Sequence, residues 1–240
     1  MRIFQKGFNF SQDGPGNRLV YHLQGCNLRC PWCSNPEGLS IHGGEEYTVD
    51  ALVEEVLRSR MMFFEGGGVT LTGGEATMQL EEVEAFFTRL HAEGIHTCIE
   101  TNGICPRLQL LFPVLDLLIM DIKHYDPHIH RAVTGADNAI TIHNLCGALN
   151  KDQNVALRIP LIGGFNASEE DAHGFVNLFN QFGVPGKATV ELLPYHEYGK
   201  DKYARLGLPY TMTETAKVTR QQADAFAAIL QEAGITVIHT

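Results

Sequence analysis

Three cysteines crowd onto one short segment. The stretch reads GCNLRCPWCSNPEG and places Cys26, Cys30 and Cys33 in C-x3-C-x2-C spacing. Three thiolates on one loop can hold three irons of a 4Fe-4S cluster, which leaves the fourth iron without a protein ligand and open to a small molecule. The logic parallels catalytic zinc, where an open coordination position separates a reactive site from a closed structural one. Two other chemistries use the same residues. A structural zinc site would complete its shell with His22 or His42, and a thiol oxidoreductase would need only Cys30-Pro31-Trp32-Cys33. Cys98, Cys105 and Cys146 are isolated, and an isolated cysteine is ordinarily a small buried residue.

Oxygen and nitrogen donors appear where apolar stretches end. In LLIMDIK the charge begins only at Asp121, and alternation along a strand puts Asp121 and Lys123 on one face and Ile122 on the other. The stretch HTCIETNG closes on Glu100-Thr101-Asn102-Gly103. With Glu100 and Asp121 at one mouth and the Thr101 carbonyl or hydroxyl between them, the three form a hard-oxygen site for a monovalent cation, Na+ or K+. The ordinary alternative is a salt bridge between Asp121 and Lys123. Gly73-Gly74-Glu75 follows a strand, where absent Cβ atoms let a ligand approach the backbone. Glu75 then serves either as an acceptor for an ammonium group or as a helix-start carboxylate. His196 follows a strand in LLPYHEYGK, but with ten other histidines in the chain composition gives it no special standing. Arg158 is a strand-end cation.

Positioning these groups falls to an alternation of short apolar strands and amphipathic helices. Strands are expected at Leu19–Leu23, Val69–Thr72, His96–Glu100, Leu117–Lys123, Val155–Pro160 and Thr189–Leu193, with a last short one at Thr236–His239. Helices are expected at Val49–Arg60, Leu80–Glu93, Ile140–Asn150, Glu169–Phe182 and Thr213–Ala233. The pattern predicts an α/β fold, a partial (β/α)6 barrel of the TIM type with parallel strands, whose carboxyl ends carry the chemistry. All 240 residues fit one domain, with a hydrophobic share of 44% for its core. A net charge of −10 argues against nucleic-acid or anionic-membrane partners, since phosphate groups repel such a surface. No apolar run approaches the ~20 residues that span a bilayer, and MRIFQKGFNFSQDG lacks a signal-peptide core, so a cytoplasmic location is expected.

Taken together, these residues resemble the radical S-adenosylmethionine enzymes, and within them the activating enzymes of glycyl radical enzymes. The resemblance runs from Asp13-Gly14-Pro15-Gly16 through the three cysteines, Thr72-Gly73-Gly74-Glu75, HTCIETNG and Asp121-Ile122-Lys123 to ELLPYHEYGK, covering nearly the whole chain. It implies one 4Fe-4S cluster on Cys26, Cys30 and Cys33. It also implies an S-adenosylmethionine site at Trp32, Cys33, Ser34, Gly74, Glu75, Asp121, Ile122, Lys123 and His196. A reduced cluster would cleave S-adenosylmethionine to a 5′-deoxyadenosyl radical that takes hydrogen from a glycine of a partner glycyl radical enzyme. The DGPG turn would belong to the peptide-binding surface, and a flavodoxin or ferredoxin would supply the electron.

Two features bear on the partner. In activators of the formate-lyase type, Asp stands where this chain has Glu100. Ser34-Asn35-Pro36-Glu37 resembles activators of glycyl radical dehydratases and decarboxylases, yet Gly38–Val49 is short and holds no cysteine, so no ferredoxin-like insertion is expected in the single domain of residues 1–240. Alanine at Cys26, Cys30 or Cys33 should abolish iron-dependent absorbance of anaerobically prepared protein. Alanine at Cys98, Cys105 or Cys146 should leave it intact, and iron lost on changing Cys146 would overturn the assignment.

Overall fold

A computed structural model describes residues 1–10 and 12–238. Two compact units divide the chain, one of Met1–Asn27 with Glu37–Ile119 and one of Leu28–Pro36 with Met120–Thr240.

In the first unit, β1 (Arg2–Asn9), β2 (Arg18–Leu23), β3 (Glu45–Glu46), β4 (Gly68–Gly73), β5 (His96–Thr101) and the start of β6 (Leu117–Asp121) lie in the order β3-β1-β2-β4-β5-β6. β1 is antiparallel to β2 and β3, whereas β2, β4 and β5 run parallel. Registers Leu19↔Val69, Tyr21↔Leu71 and Leu71↔Ile99 gather alternate residues into one apolar face. Helices α1 (Val49–Arg58) and α2 (Leu80–Ala92) cover that face. The Tyr21 ring meets Phe86 of α2 edge-on at 5.9 Å, and its hydroxyl donates to Glu55 of α1 at 3.2 Å. On α2, Leu80, Val83, Phe86, Phe87 and Leu90 recur at helical spacing and are all buried, each large side chain contributing about 1.5–3 kcal/mol. The opposite face, through the pairs Val20↔Thr70, His22↔Thr72 and Thr70↔Cys98, is far more polar.

Arg18 at the start of β2 is fully buried, and its guanidinium donates to Thr70 Oγ1 at 2.5 Å, the Val69 carbonyl at 2.5 Å and the Pro15 carbonyl at 3.1 Å. Thr70 Oγ1 in turn donates to the Asp13 carbonyl at 2.6 Å. The DGPG turn is thereby fixed at the amino end of β2, a strand length of roughly 20 Å from the cysteine segment that follows its carboxyl end.

The division between the units falls within β6. From there the second unit continues β6-β7-β8-β9, with β7 (Val155–Leu161), β8 (Ala188–Pro194) and β9 (Thr236–Ile238) parallel. Its helices are α3 (Pro127–Thr134), α4 (Ala139–Asn150), α5 (Glu169–Gln181), α6 (Lys200–Arg205) and α7 (Arg220–Glu232). Capping boxes start α5 at Ser168 with Asp171 and α7 at Thr219 with Gln222. Phe175 of α5 meets Phe226 of α7 at 5.9 Å. Arg158 and Glu191 stand opposite in the β7–β8 register and pair at 2.7 Å while buried, so removing either partner alone strands a charge at a cost of about 3–5 kcal/mol.

The α/β class with mostly parallel strands is what the structure has, and the order ends at β3 and β9 without closing. Four elements were not expected, and others have different bounds. β1, β3, α3 and α6 had no sequence signal strong enough: β1 buries only Ile3, and α3 and α6 are short. The expected helix Thr213–Ala233 begins at Arg220, because Thr219 caps it and Glu214–Ala216 forms only a single 3-10 turn. β6 stops at Asp121 rather than Lys123, since the Lys123 carbonyl accepts from the Asn166 side chain at 2.8 Å instead of a ladder partner. Of the last expected strand, Thr236–Ile238 is present and His239 lies outside the described residues.

Candidate active site

The residues around Cys26 have no helix or strand of their own, so neighbouring backbone must shape them. In the first unit, Gly25 N donates to the Gly38 carbonyl at 3.0 Å, and the Gly25 carbonyl accepts from Glu75 N at 2.7 Å. Gly74 lies so close that a Cβ on it would stand 2.3 Å from the Gly25 oxygen and 2.4 Å from the Gly38 oxygen. The missing side chain of Gly74 thus serves a backbone-to-backbone contact beneath the start of the cysteine segment. Glu75 is 1% exposed. Its Oε1 accepts from Thr77 N, Thr77 Oγ1 and Thr101 Oγ1 at 3.0, 2.6 and 2.7 Å, and its Oε2 from Asn102 N at 2.8 Å. With three of those bonds on Oε1, what remains for an ammonium group is one lone pair of Oε2.

The TNG turn continues the same scaffold. Asn102 Nδ2 donates to Asn27 Oδ1 at 2.8 Å, and Asn27 Nδ2 donates to the Ile104 carbonyl at 2.9 Å, which fixes the residue after Cys26. Thr101 Oγ1 is committed, donating to Glu75 and accepting from Gly103 N at 3.0 Å. Glu100 Oε2 accepts from Thr72 Oγ1 at 2.8 Å.

The second unit holds the rest of the segment, Leu28–Pro36. Arg29 N donates to the Thr134 carbonyl at the end of α3 at 2.8 Å, and the Trp32 ring packs on Phe165 at 4.9 Å. A Cβ on Gly199 would stand 2.4 Å from the Cys33 carbonyl oxygen and 3.2 Å from Ser34 Cα, so the glycine of HEYGK lets one backbone rest on the other. Lys202 Nζ donates to Asn35 Oδ1 at 2.7 Å. Buried Tyr203 lies near enough to the thiols that, after burial itself, the charges of Cys33 and Cys30 push its hydroxyl up to about 12.

Lys123 and Asp121 form an ion pair at 2.6 Å, which confirms that they share a face, and Ile122 is buried with its N–H on the Arg158 carbonyl at 2.8 Å. His196 is exposed, stacks on Tyr198 at 4.0 Å and accepts from Tyr198 N on Nδ1 at 3.4 Å. Desolvation holds it below the ordinary histidine pKa, and with Nδ1 accepting from Tyr198 the neutral ring carries its proton on Nε2. Asn166, fully buried, donates to the Lys123 and Pro160 carbonyls at 2.8 Å each and accepts from Ile162 N at 2.8 Å. Sequence reasoning missed Asn166, Gly199 and Tyr203; only the glycine within HEYGK carried a signal.

The donor set fits a thiolate-bound cluster. Cys26, Cys30 and Cys33 are half-buried, and their thiols are not joined in disulfides. Burial pushes Cys30 up to about 11, Lys123 opposes this, and the nearby Cys33 and Asp121 add to it. Such a thiol is protonated at neutral pH until a metal's positive charge displaces the proton. Among the described residues, no three His, Cys, Asp or Glu side chains already stand at metal-holding distances. A cavity of about 270 Å³ opens between the start of α5 and α7, and none of the residues expected at the site lines it.

Residues 20–176 match the Radical SAM superfamily. The chain is 36% identical over 231 residues to the pyruvate formate-lyase 1-activating enzyme of Escherichia coli K12, covering 94% of this chain and 93% of that one. It is 30% identical over 286 aligned positions to the (2S)-3-sulfopropanediol dehydratase activating enzyme of Klebsiella oxytoca, covering 92% and 89%. A radical SAM methyltransferase from Sphaerobacter thermophilus shares the fold with a TM-score of 0.70 at 18% identity, over 96% of this chain and 67% of that one. The chain belongs to the radical SAM superfamily, whose members use a 4Fe-4S cluster and S-adenosylmethionine. Within it, the chain is an enzyme of the glycyl-radical-enzyme activating kind.

Gly199→Ala should overpack the contact with Cys33 by about 1–3 kcal/mol. Reconstituted iron per chain should fall while far-ultraviolet circular dichroism keeps its wild-type shape; full iron content in this variant would show that the contact does not shape the loop.

Proposed function

We propose that this chain activates a glycyl radical enzyme, with Cys26, Cys30 and Cys33 holding one cluster and Trp32, Ser34, Gly74, Glu75, Asp121, Ile122, Lys123 and His196 forming the S-adenosylmethionine site, all within one radical SAM domain. The observation that carries this reading is the thiol segment with Gly74 under its start and Gly199 on its Cys33 backbone, in a chain 36% identical to an activator over 94% of its length. A 4Fe-4S cluster held by Cys26, Cys30 and Cys33 would supply the electron for cleaving S-adenosylmethionine to methionine and the 5′-deoxyadenosyl radical that would abstract the glycine hydrogen. Lys123, anchored by Asp121 and through its carbonyl by Asn166, offers a fixed positive charge for the cofactor's carboxylate. His196 offers an Nε2 donor. The DGPG turn, held by Arg18 and Thr70, contributes to the docking surface for the glycine-bearing loop.

Among the described residues no helix is long and apolar enough to cross a membrane, and we place the activity in the cytoplasm. The partner is of the formate-lyase kind or the dehydratase and decarboxylase kind; Ser34-Asn35-Pro36-Glu37 favours the latter and the absence of cysteines in Gly38–Val49 the former. Reduced enzyme with S-adenosylmethionine and a partner deuterated at glycine Cα should put deuterium into 5′-deoxyadenosine and give a protein glycyl radical signal in electron paramagnetic resonance. If co-encoded partners of both kinds fail while a small metabolite donates the hydrogen stoichiometrically, the enzyme acts on that metabolite instead.

Glu100, Thr101 and Asp121 further suggest a monovalent cation, Na+ or K+, beside the cofactor. Because the Thr101 hydroxyl is committed to Glu75, its carbonyl is the oxygen offered. Calorimetric affinity for S-adenosylmethionine should change between Na+ and K+, and Asp121→Ala should weaken it with iron content unchanged. Affinity indifferent to the cation leaves Asp121 simply the partner of Lys123.

A further inference from the structure

An electron has to reach the thiol segment through whatever covers it. In the second unit, the cover over Cys33–Asn35 is the stretch from Tyr198 to Leu208, which includes α6. Its inner side rests on the segment: Gly199 against the Cys33 carbonyl, Lys202 on Asn35, and Tyr203 buried. Its outer side carries large apolar groups in the open, with Tyr198 75%, Leu206 48% and Leu208 42% exposed. Exposed apolar groups gathered on one short segment mark a contact surface more often than a stray side chain does.

The charge of this stretch runs against that of the chain. The protein carries −10 overall, yet α6 holds Lys200, Lys202 and Arg205 against the single anion Asp201. Lys200 is half exposed and meets Glu197 only at 3.4 Å, and Arg205 is exposed. Apolar groups flanked by cations form the pattern of a protein–protein contact whose partner is negatively charged. On a strongly anionic molecule an acidic partner is repelled elsewhere and steered to such a place.

We infer that the outer face of Tyr198–Leu208, with Lys200 and Arg205 flanking Tyr198, Leu206 and Leu208, is the docking site of an acidic one-electron carrier protein of the flavodoxin or ferredoxin kind. This rests on the activase reading, because only an enzyme with a reducible cluster on the segment beneath needs such a carrier. The step itself moves one electron from the reduced carrier to the oxidised cluster, with no bond made or broken. Gly199 of this stretch rests directly on the Cys33 backbone, so a carrier seated there is brought close to the cluster.

The test is a titration of anaerobic holoenzyme with an acidic flavodoxin, read by flavin fluorescence at low and high salt. The variants are the double charge reversal Lys200→Glu with Arg205→Glu, and Leu206→Ser. The double reversal should weaken binding about tenfold or more at low salt and flatten the salt dependence; Leu206→Ser should weaken it at both salt concentrations. Cluster reduction and S-adenosylmethionine cleavage driven by dithionite should stay at wild-type rates. If iron content falls in the double reversal, the neutral pair Lys200→Gln with Arg205→Gln replaces it. Unchanged flavodoxin affinity in the variants overturns the inference. So does an outcome in which affinity holds while dithionite-driven activation of the glycyl radical enzyme falls, which would give the face to the substrate protein, or one in which the reversals merely dissociate a dimer. Failure of wild-type enzyme to cleave S-adenosylmethionine with dithionite would instead sink the activase reading, which the binding titration does not depend on.

Discussion

The segment that presents the three thiols is neither helix nor strand, and the rest of the site is arranged around backbone contacts that give it its shape. Within Cys26–Cys33, Asn27 bonded to the Ile104 carbonyl and Arg29 N bonded to the Thr134 carbonyl tie the segment to neighbouring backbone. Further contacts are made at glycines. Gly74 admits the backbone of Gly25 and Gly38, and Gly199 admits the Cys33 carbonyl, each at a separation no side chain permits. Glycine here provides room for close approach more than rotational freedom, and the two contacts fix where the backbone of the cysteine segment begins and ends.

Around this loop the molecule concentrates satisfied charge. Glu75 is buried under four hydrogen bonds, Asp121 and Lys123 pair at 2.6 Å, and Arg158 pairs with Glu191 on the strands behind them. Buried ion pairs add little to stability by themselves, since desolvation offsets their attraction. Their worth lies in fixing where the free donors stand. The apolar face of the first unit, packed by Tyr21, Phe86 and Phe87, carries the folding energy and leaves the opposite face free to be polar.

An activator meets protein partners as well as a small cofactor, and the surface chemistry reflects that. A chain of net charge −10 repels most acidic proteins, which keeps nonspecific encounters low. Against that background the cation-bearing α6, with exposed Tyr198 and Leu206 beside it, is a local reversal. The DGPG turn sits at the amino end of β2 while Cys26 follows its carboxyl end, so the turn and the start of the cysteine segment are set apart by the length of one strand.

Much of this was legible in the sequence because it depends on short-range pattern. Alternating apolar residues marked β2, β4, β5, β7 and β8 to within a residue or two, and C-x3-C-x2-C spacing marked the cysteine segment that the family match supports as a candidate cluster site. The charge at Asp121 and Lys123 announced the end of β6. Tertiary structure alone decided the rest. No local signal told that Gly74 lacks a side chain for the sake of Gly25 and Gly38, that Asn166 holds the Lys123 carbonyl from 43 residues away, or that Gly199 carries Cys33. Nor could periodicity reveal β1, which buries a single residue, or α6, which is too short to show a repeat. The physical reason is the same in each case: a pattern along the chain records which face of an element meets the core, whereas a contact between distant backbones depends on the path of the chain in space, which no window of sequence contains.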